Sequence, residues 1–495
     1  MNGVTRRVLD PAGLGPACDA LHEQHGRMQM AYALERDDGG LEVRYLAAPG
    51  SGQAFELWCC RPADGRLPTL TDRAPLLGWY EREMQDLFGL EFGGHPEPHR
   101  LVLHEGADPS VPPLRRAAPP GEALPFVRAP WTEPDIDGED VQRLPFGPVR
   151  ADVAESAQFV FYYLGEGILH YYPRLFFKHR GLEKRFEGTR PELGVVLAER
   201  VSGVGSLGHA LAYCQAVEDA CGCRVPEYAQ WARTLLQELE RIYNHLHYFA
   251  ILADATTLKV GNAQGRLLEE DAKKINARVT GSRFLRNMLI PGGLRRALSG
   301  LDGLEDALDP LRRAVERYLA KLNATPSYRD RLIGTGVLTR RTAFDQGATG
   351  PVERASGLDR DLRRDHPYAA YESLPPEVTL AETGDADARA AIRRRELLAS
   401  FTFVSRLLRA VPGGSLRAEC RPEAGSGGLG WTEGPRGALY YAVHIGPDGQ
   451  LGRVKIKSPS FSNWRVFPFT VHGTDMMDYA INEASFGLTI AGCDR

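Results

Sequence analysis

The feature that most constrains the fold is a long stretch, residues 227–255, in which apolar side chains recur at helical spacing. Positions i, i+3, i+4 and i+7 are apolar, which places them along one side of an α-helix. Pro226 stands just before the stretch, where proline favours a helix start. Weaker helical patterns cover residues 267–287, 300–321 and 386–411. We therefore predict that the C-terminal part of the chain is mainly helical.

The N-terminal part of the chain has a different pattern. Residues 27–46 read as two strands on either side of an Asp-Asp-Gly-Gly turn. A further strand is predicted near residues 54–60, and a helix over residues 78–88. These elements predict a small α+β domain that covers residues 1–118.

A linker is predicted between the two parts, over residues 119–144, because this segment is rich in Pro, Gly and acidic residues and has no periodic pattern. The second domain then covers residues 145–495. Two hairpins are expected inside it, one around residues 165–167 and one around a Pro-Asp-Gly turn at residues 447–449. The predicted fold class is α+β, with a small α+β domain followed by a large, mainly α-helical domain with short hairpins.

The composition argues against several classes of protein. The formal net charge is −4 over 495 residues, so a nucleic-acid-binding surface is not expected. Two arginines near the N-terminus have no apolar run behind them, which is not the pattern of a secretory signal. No stretch approaches about 18 consecutive apolar residues, so no direct membrane span is predicted.

The eight cysteines contain no C-x-x-C pair. Cys221 and Cys223 have a C-x-C spacing, which is too tight for the usual pair of metal ligands. Reduced, mostly buried thiols are the expected state, and no iron–sulfur cluster is predicted in this chain.

The first domain carries a long motif, WYEREMQDLFGLEFGGHPEPHRLVLHEG, at residues 79–106, followed by PPLRR at residues 112–116. This motif resembles the signature of the thirty-kilodalton subunit of respiratory complex I. Four of its charged residues lie at helical spacing, where i,i+3 and i,i+4 side chains meet. The resemblance implies an assembly and docking module, and we assign the motif no catalytic role.

The second domain resembles the large subunits shared by complex I, where it is the forty-nine-kilodalton subunit, and group 4 membrane-bound hydrogenases. The matching stretches follow the order of that family from Pro145 to the chain end. They are PFGPVR at 145, KHRGLEKRFEG at 178, RVSGVG at 200, ELERIYNHL at 238, GPVERASGLDRDLRRDHPYAAY at 350, EGPRGALYYAV at 433 and KIKSPSFSNW at 455.

The hydrogenases of this family hold nickel with two pairs of cysteines, and this chain departs from both pairs. The first pair maps to Ser202 and Gly205, and the second to Thr489 and Gly492. Cys493 lies one residue out of register. A nickel site requires soft thiolate ligands, so no nickel–iron centre and no other metal or cofactor is expected in this chain. The candidate pocket residues are Arg200, Ser202, Gly203, Gly205, Ser206, His209, Thr489, Gly492 and Cys493.

The quinone site of complex I is also altered. Its tyrosine maps to Gly203, and its histidine maps near Ala154. Without a phenol and an imidazole, proton delivery to a quinone by the known route is lost. His209 is open to two interpretations, a pocket residue or a packed core histidine. Asp475 and Asp478 could carry protons or could be solvated acids at a helix end.

The resemblance also implies a partner that carries a 4Fe-4S cluster. Arg180 maps to the arginine beside that cluster in complex I, and a guanidinium there would stabilise the reduced cluster. His179, Arg180 and Glu183 are therefore the candidate cluster-facing residues. The alternative is that they form a salt-bridged corner between a strand and a helix.

The expected function is that of a peripheral subunit in a membrane-bound complex related to complex I and the group 4 hydrogenases. The chain would contact a small subunit bearing the 4Fe-4S cluster and membrane subunits that translocate ions, from the cytoplasmic, inner face of the membrane. It would take part in electron transfer coupled to ion translocation. The alternative is a redox-silent adaptor that assembles the complex.

Overall fold

The computed structural model describes residues 4–107, 111–118, 121, 124–127, 129, 131, 136, 138, 140–149 and 155–495. Helices and strands both contribute, and helices prevail after residue 180, so the predicted α+β class is confirmed. Twelve of the 26 residues of the predicted linker, and Ala154, lie outside the described residues. The predicted domain boundaries stay a prediction.

The N-terminal part is built on a four-stranded sheet in the order β1-β4-β3-β2. The chain runs through β1 (Val4–Leu9), α1 (Leu14–Glu23), β2 (Arg27–Glu35), β3 (Leu41–Ala48), β4 (Phe55–Cys60), β5 (Arg66–Pro68), α2 (Gly78–Phe88) and β6 (Glu91–Gly93). The predicted β2–β3 pair is antiparallel, and β1 pairs in parallel with β4. Helix α2 ends where Gly89 adopts a left-handed conformation with φ of 73°.

A three-stranded antiparallel sheet follows, formed by β7 (Gln142–Phe146), β8 (Gln158–Leu164) and β9 (Gly167–Arg174). Strands β8 and β9 are the hairpin that the sequence predicted around residues 165–167. Strand β7 begins inside the segment that the sequence predicted to be a linker. The tip of the hairpin is fixed by backbone hydrogen bonds between Ile168 and the chain at residues 473–474.

The helical body begins with α3 (Leu182–Phe186), α4 (Pro191–Ala198), α5 (Ser206–Cys221), α6 (Glu227–Ala255) and α7 (Lys259–Thr280). It continues, after the short pair β10 (Leu289–Ile290) and β11 (Gly293–Leu294), with α8 (Leu304–Asn323), α9 (Pro326–Arg329), α10 (Arg340–Asp345), α11 (Pro351–Ala355), α12 (Leu362–Asp365) and α13 (Ala386–Leu408). Helix α6 has the bounds that the sequence predicted, and it packs against both α7 and α13.

The last part of the chain contains a second three-stranded antiparallel sheet and three α-helices. The elements are β12 (Gly427–Gly434), β13 (Gly437–Ile445), β14 (Leu451–Lys457), α14 (Pro459–Val466), α15 (Tyr479–Phe486) and α16 (Ile490–Asp494). Strand β12 packs directly on α5: a Cβ at Gly428 or Gly430 would collide with the α5 backbone at Ala216 or Ala212. Glycine is therefore required where this strand crosses the helix.

One hydrophobic core runs through the N-terminal sheet and the helical body. Phe55 of β4 packs edge-on against Trp431 and Tyr440 of the C-terminal sheet, with ring centroids 5.1 and 5.8 Å away. Arg453 of β14 donates to the backbone oxygen of Ala33 in β2 at 3.2 Å. The N-terminal sheet therefore packs against the C-terminal sheet formed by β12, β13 and β14. Within the described residues, no helix is both long and apolar enough to cross a membrane.

The cysteines are all free thiols. Five of them are buried, and Cys221, Cys223 and Cys420 are half-buried. The sulfurs of Cys221 and Cys420 lie 3.0 Å apart, a contact between α5 and the segment before β12 that the sequence did not suggest.

Candidate functional site

The two segments to which the sequence analysis mapped the hydrogenase cysteine pairs come together in the structure. One is the turn that precedes α5, and the other is α16 at the chain end. A Cβ built on Gly492 would lie 3.6 Å from the Cβ of Ser202, so the two positions face each other. Thr489 is the N-cap of α16, and its hydroxyl accepts a hydrogen bond from the Gly492 amide at 3.2 Å. Ser202, Thr489 and Gly492 thus share one small site.

The other side of this site is formed by the start of α5 and by Arg286. Ser206 donates to the Gly203 carbonyl at 3.2 Å and accepts a hydrogen bond from Arg286 Nε at 3.0 Å. Gly203 is exposed, and a Cβ there would find only the Arg286 guanidinium, 3.7 Å away. A Cβ at Gly205 would meet the imidazole of His209 at 3.7 Å. The turn is therefore open at Gly203, the position to which the sequence analysis mapped the complex I tyrosine.

His209 is fully enclosed one turn into α5. Its Nδ1 lies 2.9 Å from the hydroxyl of Tyr441, and burial lowers the pKa of the imidazole to about 3. The ring is therefore neutral at physiological pH and already has a hydrogen-bond partner. Its geometry is that of a packed histidine which supports the turn from behind.

Cys493 is buried, and burial raises the pKa of its thiol well above the ordinary range. A group in that state holds its proton and is a poor metal ligand. Arg200 is exposed on the outer side of the site and donates to the Val196 carbonyl at 2.8 Å. Asp478 forms an ion pair with Arg331 at 3.0 Å, while Asp475 forms a β-bridge with Gly167 at the hairpin tip.

Arg180 joins the two segments of the site. Its Nη1 donates to the Arg200 carbonyl at 2.9 Å, and its Nη2 donates to the carbonyls of Val201 and Ala491, both at 2.8 Å. Burial lowers the pKa of the guanidinium, and the group is still half-buried rather than enclosed. The Arg180 side chain therefore holds the turn before α5 at a fixed distance from α16. Part of its guanidinium remains accessible at the surface.

His179 and Glu183 hold the same corner from the inside. His179 Nδ1 lies 2.7 Å from the Asp494 carbonyl, and burial lowers the pKa of its imidazole. The Glu183 carboxylate is only 4% exposed, so it cannot reach a partner surface as a cluster-facing residue would. Of the three candidate interface residues, Arg180 has the geometry to face a partner, and the other two position it.

Glu183 belongs to a buried ionic cluster that connects distant parts of the chain. It contacts Arg453 at 2.8 Å, Arg495 at 3.1 Å and Lys455 at 3.4 Å. Glu83 of the N-terminal motif pairs with the same Lys455 at 2.6 Å and with Arg495 at 3.1 Å. The charged helix of the N-terminal motif is therefore fixed to the C-terminal residue next to the candidate site.

Four residues at the site were not singled out from the sequence. Glu155 accepts hydrogen bonds from the amides of Ile490 and Ala491, at 2.5 and 3.2 Å. Glu240 accepts from the amides of Leu207 and Gly208, at 2.8 and 2.9 Å, and burial raises its pKa to about 7.

The other two are Arg436 and Asp494. Arg436 lies in the EGPRG stretch and donates to the Gly487 carbonyl at 2.7 Å and to the side-chain oxygen of Asn244. Asp494 accepts from the amide of Lys178 at 2.9 Å. Glu240 and Arg436 lie within the family motifs, so the motifs could have marked these two as site residues. Nothing in the sequence marks Glu155.

Comparisons with known proteins identify the family of this chain. The family model described as the 30 kDa subunit of respiratory-chain NADH dehydrogenase matches residues 8–123, and the 49 kDa model matches residues 268–427 and 422–495. A nickel-dependent hydrogenase model matches residues 180–266. Formate hydrogenlyase subunit 5 of Escherichia coli is 31% identical over 429 residues, which is 83% of this chain and 74% of that protein. The chain belongs to the family of fused 30 kDa and 49 kDa complex I-type subunits, related to the hydrogenase large subunits.

Further relatives extend the match. The C/D subunit of NADH-quinone oxidoreductase from Gluconacetobacter diazotrophicus is 28% identical and aligns over 100% of this chain and 92% of its own length. The carbon monoxide-induced hydrogenase of Rhodospirillum rubrum is 31% identical over 71% of this chain and 99% of its own length. Among solved structures, a chain of the archaeal membrane-bound sulfane sulfur reductase has a TM-score of 0.68 and 26% identity, over 72% of this chain and 99% of that chain.

The donor set at the site does not fit the nickel–iron centre of the hydrogenase branch of the family. Ser202 and Thr489 offer hydroxyls, the Thr489 hydroxyl is already engaged with the Gly492 amide and with Ser460, and the two glycines offer no side-chain atom. Nickel in such a centre is held by thiolates. Among the described residues, no group of three or more His, Cys, Asp or Glu side chains has the arrangement of a metal site.

Asp494 gives a testable pH effect. Burial raises the pKa of this carboxyl to about 7, whereas an aspartate in an unfolded chain titrates near 4. The folded protein therefore binds the proton more tightly, and the stabilisation is present at low pH and lost as the pH rises from about 4 to about 7. Asp494→Asn keeps an oxygen for the Lys178 amide but cannot ionise. We expect the stability of the variant relative to wild type to rise by on the order of 2–4 kcal/mol between pH 5 and pH 8.

The measurement is urea unfolding of both proteins at the two pH values. Asp271→Asn is the matched control, because Asp271 is exposed and paired with Lys274 at the surface. An unchanged difference between Asp494→Asn and wild type at pH 5 and pH 8 would show that the Asp494 carboxyl is not perturbed.

Proposed function

We propose that this chain is the large peripheral subunit of a membrane-bound oxidoreductase complex of the complex I and hydrogenase type. In this role it contacts a small subunit that carries a 4Fe-4S cluster and membrane subunits that translocate ions. It takes part in electron transfer coupled to that translocation and holds no nickel–iron centre of its own. Its place is peripheral, on the cytoplasmic face of the membrane, where the membrane subunits hold it.

The observation that carries the proposal is the position of Arg180. Its guanidinium holds carbonyls of both segments of the candidate site and remains half-exposed. A fixed positive charge at a protein surface stabilises an anionic group brought against it, and a reduced iron–sulfur cluster is more negative than an oxidised one. The same contacts make the shape of the site depend on Arg180, so a partner that touches the guanidinium can alter the turn at 202–205.

A second function is favoured by the chemistry of the donors. Two hydroxyl residues and two glycines stand at the four positions that the sequence analysis aligns with the hydrogenase thiolates, and Gly203 stands at the position that it aligns with the complex I tyrosine. A site of this composition neither holds a redox metal nor delivers a proton to a quinone by the known routes. These features support the alternative of a redox-silent adaptor that assembles the complex.

Purification of the intact complex through a tag on this chain separates the two functions. The complex is supplied with reduced ferredoxin or NADH, and reduction of quinones and of protons is measured. The proposed electron-transfer role predicts turnover that is lost when Arg180 is replaced and retained when an exposed arginine such as Arg66 is replaced. Turnover that is insensitive to Arg180, in a complex that still assembles, would support the adaptor. Absence of an iron–sulfur partner from the purified complex would contradict both.

Elemental analysis tests the metal prediction directly. The complex, purified from cells grown with added nickel, is expected to contain iron from its partner subunit and nickel well below one atom per chain. The reason is that the four positions aligned with the hydrogenase ligands carry no sulfur. A nickel-binding hydrogenase relative purified in the same way is the positive control. Stoichiometric nickel in this chain would overturn the interpretation of the site.

A further inference from the structure

A cleft of about 860 Å³ lies between the N-terminal sheet and the helical body, lined by a different set of residues from the candidate site. Its walls come from the end of α1, the start of β2, α10, the chain around α12, and β13. Ligand pockets for small molecules usually have volumes of about 300–1,000 Å³ and often occur where two structural units meet. The cleft therefore has the size and position of a small-molecule site.

The acidic side chains of the cleft are paired with arginines within the fold. Glu353 contacts Arg27 at 3.2 Å, and Glu433 contacts Arg354 at 3.1 Å. The remaining pairs are Asp345 with Arg341 at 3.5 Å, Asp359 and Asp365 with Arg364 at 2.6 and 2.8 Å, and Asp361 with Arg363 at 2.7 Å. The carboxylates of the cleft are thus compensated, and a cation is not the ligand that the cleft requires.

Arg360 lines the cleft beside Arg27, but unlike Arg27 it is paired with no carboxylate of the described residues. In the part of the chain that the structure describes, its guanidinium has no hydrogen bond and no ion pair. It lies over the ring of Phe344, 5.8 Å from the centroid, and Arg27 lies over the same ring at 5.7 Å. Burial, together with the charge of Arg27, lowers the pKa of Arg360 to about 10. A guanidinium that is partly withdrawn from water without a counter-ion favours an anion beside it.

A flat, neutral surface lies near this charge. His366 lines the cleft and is stacked on Phe55, with ring centroids 3.8 Å apart and planes inclined by 20°. Burial lowers the pKa of the imidazole to about 4, with Asp365 opposing and Arg360 adding to the shift. His366 and Arg360 line the same cleft. Among the described residues, the ring nitrogens of His366 have no hydrogen-bond partner. An aromatic base can use both its flat face and its polar edge against such a ring.

We propose that this cleft binds a mononucleotide-sized phosphate ester, with the phosphate at Arg360 and the base beside His366 and Phe344. Guanidinium groups pair with phosphate oxygens through two parallel hydrogen bonds, and the free donors of Arg360 allow this geometry. The inference concerns binding alone and does not depend on the proposed function. It can succeed or fail whether or not the chain transfers electrons.

Isothermal titration calorimetry on the full chain, at pH 7.5 and low salt, tests the site with adenosine monophosphate, adenosine and inorganic pyrophosphate. We expect adenosine monophosphate to bind. Arg360→Gln is expected to weaken that binding about tenfold or more, because the phosphate loses its cation. Adenosine is expected to bind much more weakly, since it lacks the anion, and pyrophosphate more weakly because it lacks the base.

The matched control is Arg66→Gln, which removes one positive charge from an exposed pair with Glu91, away from the cleft. It should bind adenosine monophosphate as wild type does. Phe344→Leu provides a second variant if Arg360→Gln does not fold, and it should also weaken binding. Failure of wild type to bind adenosine monophosphate at about 10 mM, where even a millimolar dissociation constant gives nearly full occupancy, would overturn the proposal. Equal binding by wild type and Arg360→Gln, or equal binding of adenosine monophosphate and pyrophosphate, would overturn it as well.

Discussion

Replacing Glu183 with glutamine is expected to lower the free energy of unfolding by about 3–5 kcal/mol at pH 7, because one acid partner of a buried ionic cluster is removed. Glu183 is the only carboxylate described in contact with Arg453, at 2.8 Å. Lys455 and Arg495 keep Glu83 as a partner, but a single carboxylate then faces three buried cations. The amide also cannot match the charge-assisted hydrogen bond that the carboxylate accepts from the Ile456 amide at 3.1 Å.

The pH dependence has a defined sign. Lys455, Arg453 and Arg495 hold the pKa of the Glu183 carboxyl well below its usual range, and their charges outweigh the opposing effect of burial. A carboxylate with a lowered pKa in the folded state stabilises the protein above the pKa of the unfolded chain, near 4.3, and loses this effect as the pH falls further. The stability gap between wild type and Glu183→Gln should therefore be largest near neutral pH and should shrink below about pH 4.

Urea unfolding followed by circular dichroism, at several pH values between 7 and 3, measures this gap. Glu91→Gln is the control, because Glu91 forms an exposed pair with Arg66 whose loss should change stability by less than about 1 kcal/mol. A gap between wild type and Glu183→Gln that stays constant down to pH 3 would mean that the pKa of Glu183 in the folded protein is not lowered from its value in the unfolded chain.

The elements that the sequence predicted well are those whose pattern is local. Helix α6 has a continuous apolar stripe and a proline before its first residue, and its bounds, Glu227–Ala255, were predicted as observed. Helix α7 was predicted at residues 267–287 but covers Lys259–Thr280. Gly281 adopts a left-handed conformation with φ of 73° and ends the helix, a stop signal that is independent of the apolar periodicity.

Elements that depend on a distant partner were missed. Strand β12 has the sequence GGLGWTEG, in which glycines replace the alternating side chains of an ordinary strand. Its glycines are needed because α5, which precedes the strand by a large part of the chain, lies against it. Strand β1 is largely exposed at the edge of its sheet and carries two adjacent arginines, so its sequence has no apolar alternation. Local pattern cannot reveal either element, since tertiary contacts determine both.

At the candidate site, too, local motifs were predictable and contacts between distant residues were not. Family motifs located the two segments, and the structure places Ser202 beside Gly492. The role of Glu183 could not be read from the sequence, because its partners lie in β14 and at the last residue of the chain. The charged residues of the N-terminal motif were predicted only to meet along their own helix, yet Glu83 is buried and contacts that same last residue. Charged residues at helical spacing do not distinguish a surface network from a buried one.

Replacing Arg180 with alanine is expected to reduce ferredoxin- or NADH-driven turnover of the purified complex at least tenfold. Three hydrogen bonds to the carbonyls of Arg200, Val201 and Ala491 are lost, and bonds of this charge-assisted kind contribute about 1.5–3 kcal/mol each. The turn before α5 and helix α16 are then free to separate. Arg66→Ala, at an exposed surface pair, should leave turnover unchanged.

Two roles of Arg180 can be separated by a second substitution, Arg180→Lys. Lysine keeps the positive charge but has a compact ammonium that cannot span three carbonyls on two segments. If the charge stabilises the reduced cluster of the partner, alanine should lower the reduction potential of that cluster by on the order of tens of millivolts, measured by redox titration with electron paramagnetic resonance, and lysine should largely restore it. If Arg180 acts only by fixing the site, both variants should lose turnover and neither should move the potential. Full turnover in Arg180→Ala would contradict both roles and would leave the cluster-facing assignment without support.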